Sequence, residues 1–127
     1  MNILSIDYGD VRIGLAHSST EHNIALPLKV IQNNNQIWDE LAKIIQEYTI
    51  DYILVGLPLN FQSTDTQQTL KVRQFIQELK DKFSIEIEEY DERLTSSLAK
   101  RYIPKGQSID IESARILLEE WLEQNNK

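Results

Sequence analysis

The amino-acid sequence predicts an α/β domain built on a mixed five-stranded sheet. Three strand-like segments follow one another with short polar links, which is the pattern of an antiparallel meander. Two further strand-like segments each follow a stretch whose apolar residues recur at intervals of three and four, the spacing of a helix packed on a sheet. A helix between two strands favours parallel pairing through a right-handed crossover. The predicted strand order is therefore 3-2-1-4-5, with helices flanking the sheet.

Each predicted strand follows from its own residue pattern. The five segments cover residues 2–7, 12–17, 26–32, 52–56 and 84–90. The first and fourth are largely apolar and rich in β-branched residues, which indicates strands that are buried on both faces. The fifth alternates Ile85 and Ile87 with Glu86 and Glu88, so we expect a half-exposed strand at the edge of the sheet.

The predicted helices lie between and after these strands. Their apolar faces fall within residues 37–48, 72–83, 94–102 and 111–122. The asparagine run at 33–35 is interpreted as a loop and cap for the first helix, and Thr64 with Gln67 predicts a capping box for the second. Trp38 and Trp121 are interpreted as packing residues, because both lie within amphipathic helices.

The composition is that of one domain spanning residues 1–127. With 127 residues and 41% apolar content, the chain can bury a substantial core. No cysteine occurs, which excludes disulfides, thiolate nucleophiles and cysteine-based metal centres. There is no basic leader and no apolar segment of membrane-spanning length, so we expect a soluble cytoplasmic protein with no membrane partner.

The charge is unevenly distributed. A formal net charge of −7 argues against loose, charge-driven binding to nucleic acid. Residues 93–109, however, contain no acid and four basic side chains, which are Arg93, Lys100, Arg101 and Lys105. This basic segment could bind phosphates. Arg12, beside two glycines, could also bind a phosphate, or it could pair with Asp10.

Acidic residues come where the predicted parallel strands end. Asp7 closes the first strand, Asp91 and Glu92 close the fifth, and Asp110 falls in the first turn of the last helix. The carboxyl ends of parallel strands share one edge of a sheet, where ligand sites are favoured, so we expect these side chains to converge. Oxygen ligands without His or Cys suit Mg²⁺ or Mn²⁺, and such a site can hydrolyse phosphodiesters.

Each of these residues also has a purely structural interpretation. Asp7 precedes a glycine-containing turn that its side chain could cap, and Asp110 could stabilise the dipole of its helix. The acidic pair at residues 91–92 could form a surface ion-pair turn with the arginine that follows. His17 and His22 have no metal-binding spacing, so we interpret them as packing or surface residues.

Several short motifs, separated in sequence, are shared with a known family. They are Ile6-Asp7-Tyr8-Gly9, Arg12-Ile13-Gly14-Leu15-Ala16, Pro27-Leu28, Val55-Gly56-Leu57-Pro58-Leu59-Asn60, Val72-Arg73 with Phe75, Asp91-Glu92-Arg93-Leu94-Thr95, and Asp110. In order and spacing they resemble the YqgF (RuvX) family of RNase H-like proteins, described as Holliday junction resolvase-like and as pre-16S rRNA nucleases. The resemblance spans essentially the whole chain.

The resemblance implies that Asp7, Glu92 and Asp110 are the catalytic acids that bind the metal. It also implies that short loops shape the site, through Gly9, Gly56, Pro58 and Asn60. With the basic segment, it assigns nucleic-acid binding to Arg12, Arg93, Thr95, Lys100, Arg101 and Lys105. The chain departs from the family around Asp110, where it reads Asp110-Ile111-Glu112-Ser113-Ala114 instead of Asp-x-x-Ala-Ala. Glu112 therefore stays open as a substitute for Asp110, or an aid to it.

The function expected from this resemblance is hydrolysis of phosphodiester bonds by a nuclease that uses Mg²⁺ or Mn²⁺, in 5′-end maturation of precursor 16S ribosomal RNA. One alternative is a Holliday junction resolvase, which needs a dimer because two strands are cut. Another is a non-catalytic nucleic-acid-binding or ribosome-assembly module. The Asp7-Tyr8-Gly9 turn also resembles the phosphate loop of sugar kinases, but those proteins close two such domains on a nucleotide. We expect a monomer or weak homodimer.

Overall fold

The computed structural model describes residues 1–19, 21, 24–58, 65–91 and 109–125, with the side chains of residues 109 and 110 excluded. The strands are β1 (Asn2–Tyr8), β2 (Arg12–Ser19), β3 (Leu26–Gln32), β4 (Tyr52–Leu57) and β5 (Glu86–Asp91). The helices in the described ranges are α1 (Ile37–Glu47), α2 (Gln67–Lys82) and α3 (Ile109–Asn125). The short helix predicted at residues 94–102 lies outside these ranges.

The five strands form one mixed sheet in the order β3-β2-β1-β4-β5, as predicted. β2 pairs antiparallel with both β1 and β3, whereas β4 pairs parallel with both β1 and β5. The predicted strand ends agree with the observed ones to within two residues. β5 is an edge strand and only partly buried, as its alternating sequence predicts.

The sheet is covered on both faces, and each face has its own core. Leu4 and Ile6 of β1 pack in the larger cluster, which contains the buried residues of α1 and α2. Ile3 packs in the smaller cluster, together with the buried residues of α3. This alternation along β1 follows from the two-residue period of a strand, and it explains why a central strand must be apolar on both faces.

The start of α2 differs from the prediction. Gln67 is the first helical residue, and the capping box joins Thr66 and Thr69 instead of Thr64 and Gln67. Thr66 Oγ1 accepts from the Thr69 backbone N–H at 3.2 Å, and Thr69 Oγ1 accepts from the Thr66 backbone N–H at 3.0 Å. Thr69 is fully buried, which gives its hydroxyl a structural role that a surface threonine lacks.

The two tryptophans pack on opposite faces of the sheet, which confirms their interpretation as packing residues. Trp38 stacks on Phe75 of α2, with ring centroids 5.5 Å apart. Trp121 packs against Tyr52 at 5.4 Å, and its Nε1 donates to Glu88 at 2.9 Å. Within the described ranges, no helix is long and apolar enough to cross a membrane.

Candidate functional site

The ends of the three parallel strands meet at one edge of the sheet, which we call the carboxyl edge. Ile6 pairs with Val55 in the last β1–β4 pair, and Asp7 is the next residue of β1. Leu57, which ends β4, pairs with Asp91, which ends β5. Asp7 is partly buried and pairs with Gly14 of β2.

Helix α3 is attached to β1 close to its first turn. The hydroxyl of Ser5 is fully buried and donates to the backbone carbonyl of Ala114 at 2.9 Å. Further along the helix, Trp121 contacts Tyr52, the first residue of β4, and Gln124 Nε2 donates to the Tyr90 hydroxyl of β5 at 3.1 Å. The helix therefore crosses the sheet from β1 towards β5.

The residue spacing along β1 and α3 gives the distances of Asp7 and Asp110 from this hydrogen bond, each measured along its own element. Asp7 lies two residues beyond Ser5, a rise of roughly 6.6 Å along the strand. Asp110 lies four residues before Ala114, a rise of about 6 Å along the helix. Ser5 and Asp7 alternate onto the α3 side of the sheet, as strand geometry requires. Asp7 and the first turn of α3 therefore each lie within about 7 Å, measured along their own elements, of the Ser5–Ala114 hydrogen bond.

The turn between β1 and β2 requires glycine at position 9. A Cβ added to Gly9 would lie 2.3 Å from the carbonyl oxygen of Arg12, which is closer than real Cβ atoms approach a backbone oxygen. Asn33 fastens this turn to the chain after β3: its Nδ2 donates to the Gly9 carbonyl at 2.8 Å, and its backbone N–H donates to the Val11 carbonyl at 2.9 Å. The asparagine run thus supports the β1–β2 turn.

The predicted capping role of the asparagine run is wrong for α1. Gln36 is the N-cap residue, and no side chain caps this helix through a hydrogen bond. Asn34 Oδ1 instead accepts from the Gln36 backbone N–H at 2.9 Å, one residue before the helix starts. Asn33 instead binds the β1–β2 turn, through its side chain to Gly9 and through its backbone N–H to Val11.

The end of β4 is tied to the start of α2. Gly56 is buried and pairs with Tyr90 of β5. The Pro58 carbonyl accepts a short hydrogen bond from the hydroxyl of Thr69, the same residue that completes the capping box of α2. Asn60, the other residue expected to shape this loop, lies outside the described residues.

Two basic residues of α2 form ion pairs at this edge. Lys71 Nζ lies 3.3 Å from Asp10 Oδ1 and joins α2 to the β1–β2 turn. Arg73 Nε lies 2.9 Å from Asp65 Oδ2, and its Nη1 lies 3.3 Å from Glu89 Oε2 on β5. The hydrogen bond that Arg73 donates to Asp65 raises the pKa of the Arg73 guanidinium. Sequence reasoning missed these contacts, because no residue pattern in the sequence marks such partners.

Glu112, considered as a substitute for Asp110, already has a cationic partner. Glu112 is buried, with only 2% of the residue exposed, and its Oε2 accepts a hydrogen bond from Arg115 Nε at 2.9 Å. Arg115 Nη1 also pairs with Glu119 at 2.5 Å. A metal at Glu112 would have to compete with this guanidinium, so we keep Asp110 as the helix ligand.

The description of the predicted metal site is partial. Of the three predicted metal ligands, Asp7 is described with its side chain, Asp110 only through the backbone of α3, and Glu92 lies outside the described residues. The same holds for most of the predicted nucleic-acid contacts, namely Arg93, Thr95, Lys100, Arg101 and Lys105. Among the described residues, no group of three or more His or acidic side chains is placed to hold a metal. The three-acid set therefore stays a prediction.

The comparison with protein families matches residues 1–124 to the family model described as "RuvX: Holliday junction resolvase". A protein of Aeromonas hydrophila, named as a candidate pre-16S rRNA nuclease, is 36% identical over 134 residues, covering 97% of this chain and 95% of that protein. A Colwellia psychrerythraea protein with the same name is 36% identical over 132 residues, covering 96% of this chain and 89% of that protein.

Solved structures share the fold at much lower sequence identity. Thermus thermophilus RuvC in complex with a Holliday junction substrate superposes with a TM-score of 0.65 at 10% identity, over 99% of this chain and 96% of that one. The fowlpox virus resolvase bound to Holliday junction DNA gives 0.65 at 14% identity, over the full length of both chains. The mixed sheet with this strand order is thus RNase H-like. The family match and the relatives together show that this chain belongs to the RuvX (YqgF) family of nucleases.

Proposed function

We propose that the protein is a metal-dependent nuclease that hydrolyses phosphodiester bonds during 5′-end maturation of precursor 16S ribosomal RNA in the cytoplasm. One observation supports the proposal above the others. The hydrogen bond from Ser5 to the Ala114 carbonyl joins the first half of α3 to β1, two residues before Asp7. The names of the relatives support the choice of precursor 16S ribosomal RNA as substrate.

The residues of the carboxyl edge fit a hard divalent cation. Carboxylate oxygens are the ligands that Mg²⁺ and Mn²⁺ prefer, and the three proposed ligands are Asp7, Glu92 and Asp110. Glu92 directly follows Asp91, the last residue of β5, and Asp110 belongs to the first turn of α3. When bound, the metal would lower the pKa of a water molecule and stabilise the charge that develops on the phosphate.

The protein's own contribution is to hold these ligands at fixed positions. Asp7 lies on a central strand of the sheet, and it pairs with Gly14 of β2. The turn that follows is fixed by the close approach of the Arg12 carbonyl to Gly9 and by the bonds of Asn33. Catalytic groups built on rigid elements keep the geometry that the reaction needs.

Binding of a polyanion by an acidic protein requires a local concentration of positive charge. We assign this role to Arg12, exposed at the start of β2, and to the basic segment that contains Arg93, Lys100, Arg101 and Lys105. Thr95 adds a hydroxyl donor for phosphate oxygens. Each phosphate contact should appear in the salt dependence of binding, with a slope of roughly 0.7 per contact for single strands.

A second candidate function is cleavage of four-way DNA junctions. The description of the matching family model and the fold shared with two junction-bound resolvases favour it. Symmetric cleavage of a junction needs two active sites in one dimer. A protein that stays monomeric at the concentrations where it cleaves would therefore count against this candidate.

Cleavage assays with purified protein test the proposal. A 5′-extended 16S rRNA fragment and a four-way DNA junction are each incubated with Mg²⁺, Mn²⁺ or EDTA. We expect metal-dependent cleavage of the RNA, lost in Asp7→Asn and kept in Asp81→Asn. Asp81 is an exposed residue in the last turn of α2, so it controls for the same chemical change elsewhere. An Asp7→Asn protein as active as wild type would refute the mechanism.

A further inference from the structure

A groove with aromatic and amide walls opens beside the end of β1, on the face that carries α1 and α2. Its larger part has a volume of about 350 Å³. It is lined chiefly by Tyr8, Asn33, Asn34, Trp38, Phe75 and Glu78. A smaller cavity of about 180 Å³ adjoins it, shares Tyr8, Phe75 and Glu78, and extends towards Lys71. The larger part alone is within the usual size range of small-molecule sites.

The aromatic wall of this groove consists of three rings in contact. Tyr8 lies 4.5 Å from Phe75, and Trp38 lies 5.5 Å from Phe75, measured between ring centroids. Phe75 is only 4% exposed and anchors the wall to the core, whereas Tyr8 and Trp38 are each partly exposed. Lys82 Nζ lies 5.2 Å from the Trp38 ring centroid. The wall therefore presents two partly exposed rings with a cation close by.

The opposite wall supplies hydrogen-bonding groups. The Asn33 and Asn34 side chains each make one bond that fixes the loop, to the Gly9 carbonyl and from the Gln36 N–H. A carboxamide has two donor hydrogens and an acceptor oxygen, so these bonds use only part of its capacity. Glu78, partly buried, adds a carboxylate between the two cavities.

We propose that this groove binds an unpaired base of a single-stranded nucleic acid. The inference rests on the proposed function and narrows its substrate to a strand that is unpaired next to the cleavage point. Aromatic side chains that stack on splayed-out bases, with amides that bond to the base edges, are the usual means of recognising single-stranded RNA. The Glu78 carboxylate repels a phosphate but accepts hydrogen bonds from the N–H groups of a base.

The location of the groove supports this ligand. Tyr8 follows Asp7 directly in β1, but the two side chains alternate onto opposite faces of the sheet. A strand that crosses the carboxyl edge would thus pass from the proposed metal site to the groove within a short length of backbone. A base-paired helix cannot make this contact, because its bases are stacked and paired inside the duplex.

Trp38 provides a direct readout of the groove. The chain contains two tryptophans, and Trp121 is buried on the opposite face, so Trp121→Phe leaves Trp38 as the single fluorescent tryptophan. The titration is done in EDTA, where cleavage cannot occur. We expect a single-stranded RNA oligonucleotide to change the Trp38 emission saturably, while a blunt duplex of the same sequence and inorganic phosphate do not.

Two matched substitutions on the Trp121→Phe background complete the test. Tyr8→Leu removes one ring of the wall, and we expect at least about tenfold weaker binding of the single strand, the usual loss for one stacking side chain. Tyr48→Leu removes a partly buried tyrosine that packs on His17 away from the groove, and it should bind normally. Circular dichroism reports whether each variant is folded.

The outcomes separate this inference from the proposed function. If the protein cleaves RNA with metal but its Trp38 emission does not respond to single strands, base binding in the groove is refuted. The proposed nuclease function then still stands. Equal affinity of Tyr8→Leu and Tyr48→Leu would also refute base binding in the groove, as would tighter binding of the duplex. Emission that responds in EDTA while no cleavage is found would support the groove and refute the nuclease.

Discussion

The α3 face of the sheet and its carboxyl edge are held in different ways. On the α3 face, side chains of three elements bond to one another beside the buried core: the Tyr52 hydroxyl and Trp121 Nε1 both donate to Glu88. At the carboxyl edge, side chains also hold the backbone of the loops, as Asn33 does at Gly9 and Thr69 does at Pro58. We therefore expect substitutions on the α3 face to lower stability, and those at the carboxyl edge to lower activity as well.

Trp121→Ala should have the largest effect on stability. It removes a buried ring from the α3 core and leaves Glu88 without one of its two donors. The expected loss is about 3–5 kcal/mol in the free energy of unfolding, as for other buried aromatic truncations. Urea denaturation measures it, with the exposed Glu123→Ala on the same helix as control. A loss below about 1 kcal/mol would contradict the stabilising role assigned to the α3 face.

Gly9→Ala should lower both stability and activity. The added Cβ would lie 2.3 Å from the Arg12 carbonyl oxygen, so the β1–β2 turn must shift. We expect a cost of about 1–3 kcal/mol, the usual range for forced overpacking, and slower cleavage because the turn directly follows Asp7. Asp10→Ala alters the next residue without adding a Cβ, and denaturation and cleavage of the two variants are compared. Normal activity of Gly9→Ala would show that the turn does not position Asp7.

Thr69→Val tests the link between β4 and α2. It keeps the volume of the side chain but removes the hydroxyl that bonds to the Pro58 carbonyl and to the Thr66 backbone N–H. We expect a loss of about 1–2 kcal/mol, as for other lost caps and buried hydrogen bonds. Thr69→Ser, which keeps the hydroxyl, should lose less. Equal melting temperatures for the two variants would contradict this role.

His17 should make a small contribution to the pH dependence of stability. Burial lowers its pKa below the ordinary value of 6.5, so the unfolded chain binds a proton more readily than the folded one. The stabilisation is complete above pH 6.5 and is lost as the pH falls through the folded-state pKa. Melting temperatures from about pH 7 to about pH 5.5, compared with His17→Gln, measure the effect. A variant with the same pH dependence as wild type would exclude this role.

The sequence predicts the elements and their order because local patterns determine both. The apolar run of β1, the Ile–Glu alternation of β5 and the helical spacing of α1 and α2 are each contained in one segment. The contacts that position the candidate site join residues far apart in the chain, such as Ser5 with Ala114 and Asn33 with Gly9. No periodicity in the sequence signals such a bond, so these contacts could not be predicted from it.

The candidate site shows the same division. Asp7 could be identified from its place at the end of an apolar strand, and Gly9 from the turn that follows it. The sequence predicts the capping box two residues too early, because both Thr64 and Thr66 are acceptable caps. The bond from the buried Thr69 hydroxyl to the Pro58 carbonyl favours Thr66. The aromatic groove escaped prediction, since Tyr8 and Phe75 meet only when β1 and α2 pack together.

The most direct test of the central claim is whether Asp7 binds a divalent cation at the carboxyl edge. A ligand that binds the folded state raises the melting temperature as its concentration increases, and clustered carboxylates gain further when a cation relieves their repulsion. Mn²⁺ is titrated against the melting temperatures of wild type, Asp7→Asn and the control Asp81→Asn. We expect wild type and Asp81→Asn to be stabilised alike and Asp7→Asn to respond far less. An equal rise in all three proteins would place the cation elsewhere and contradict the account.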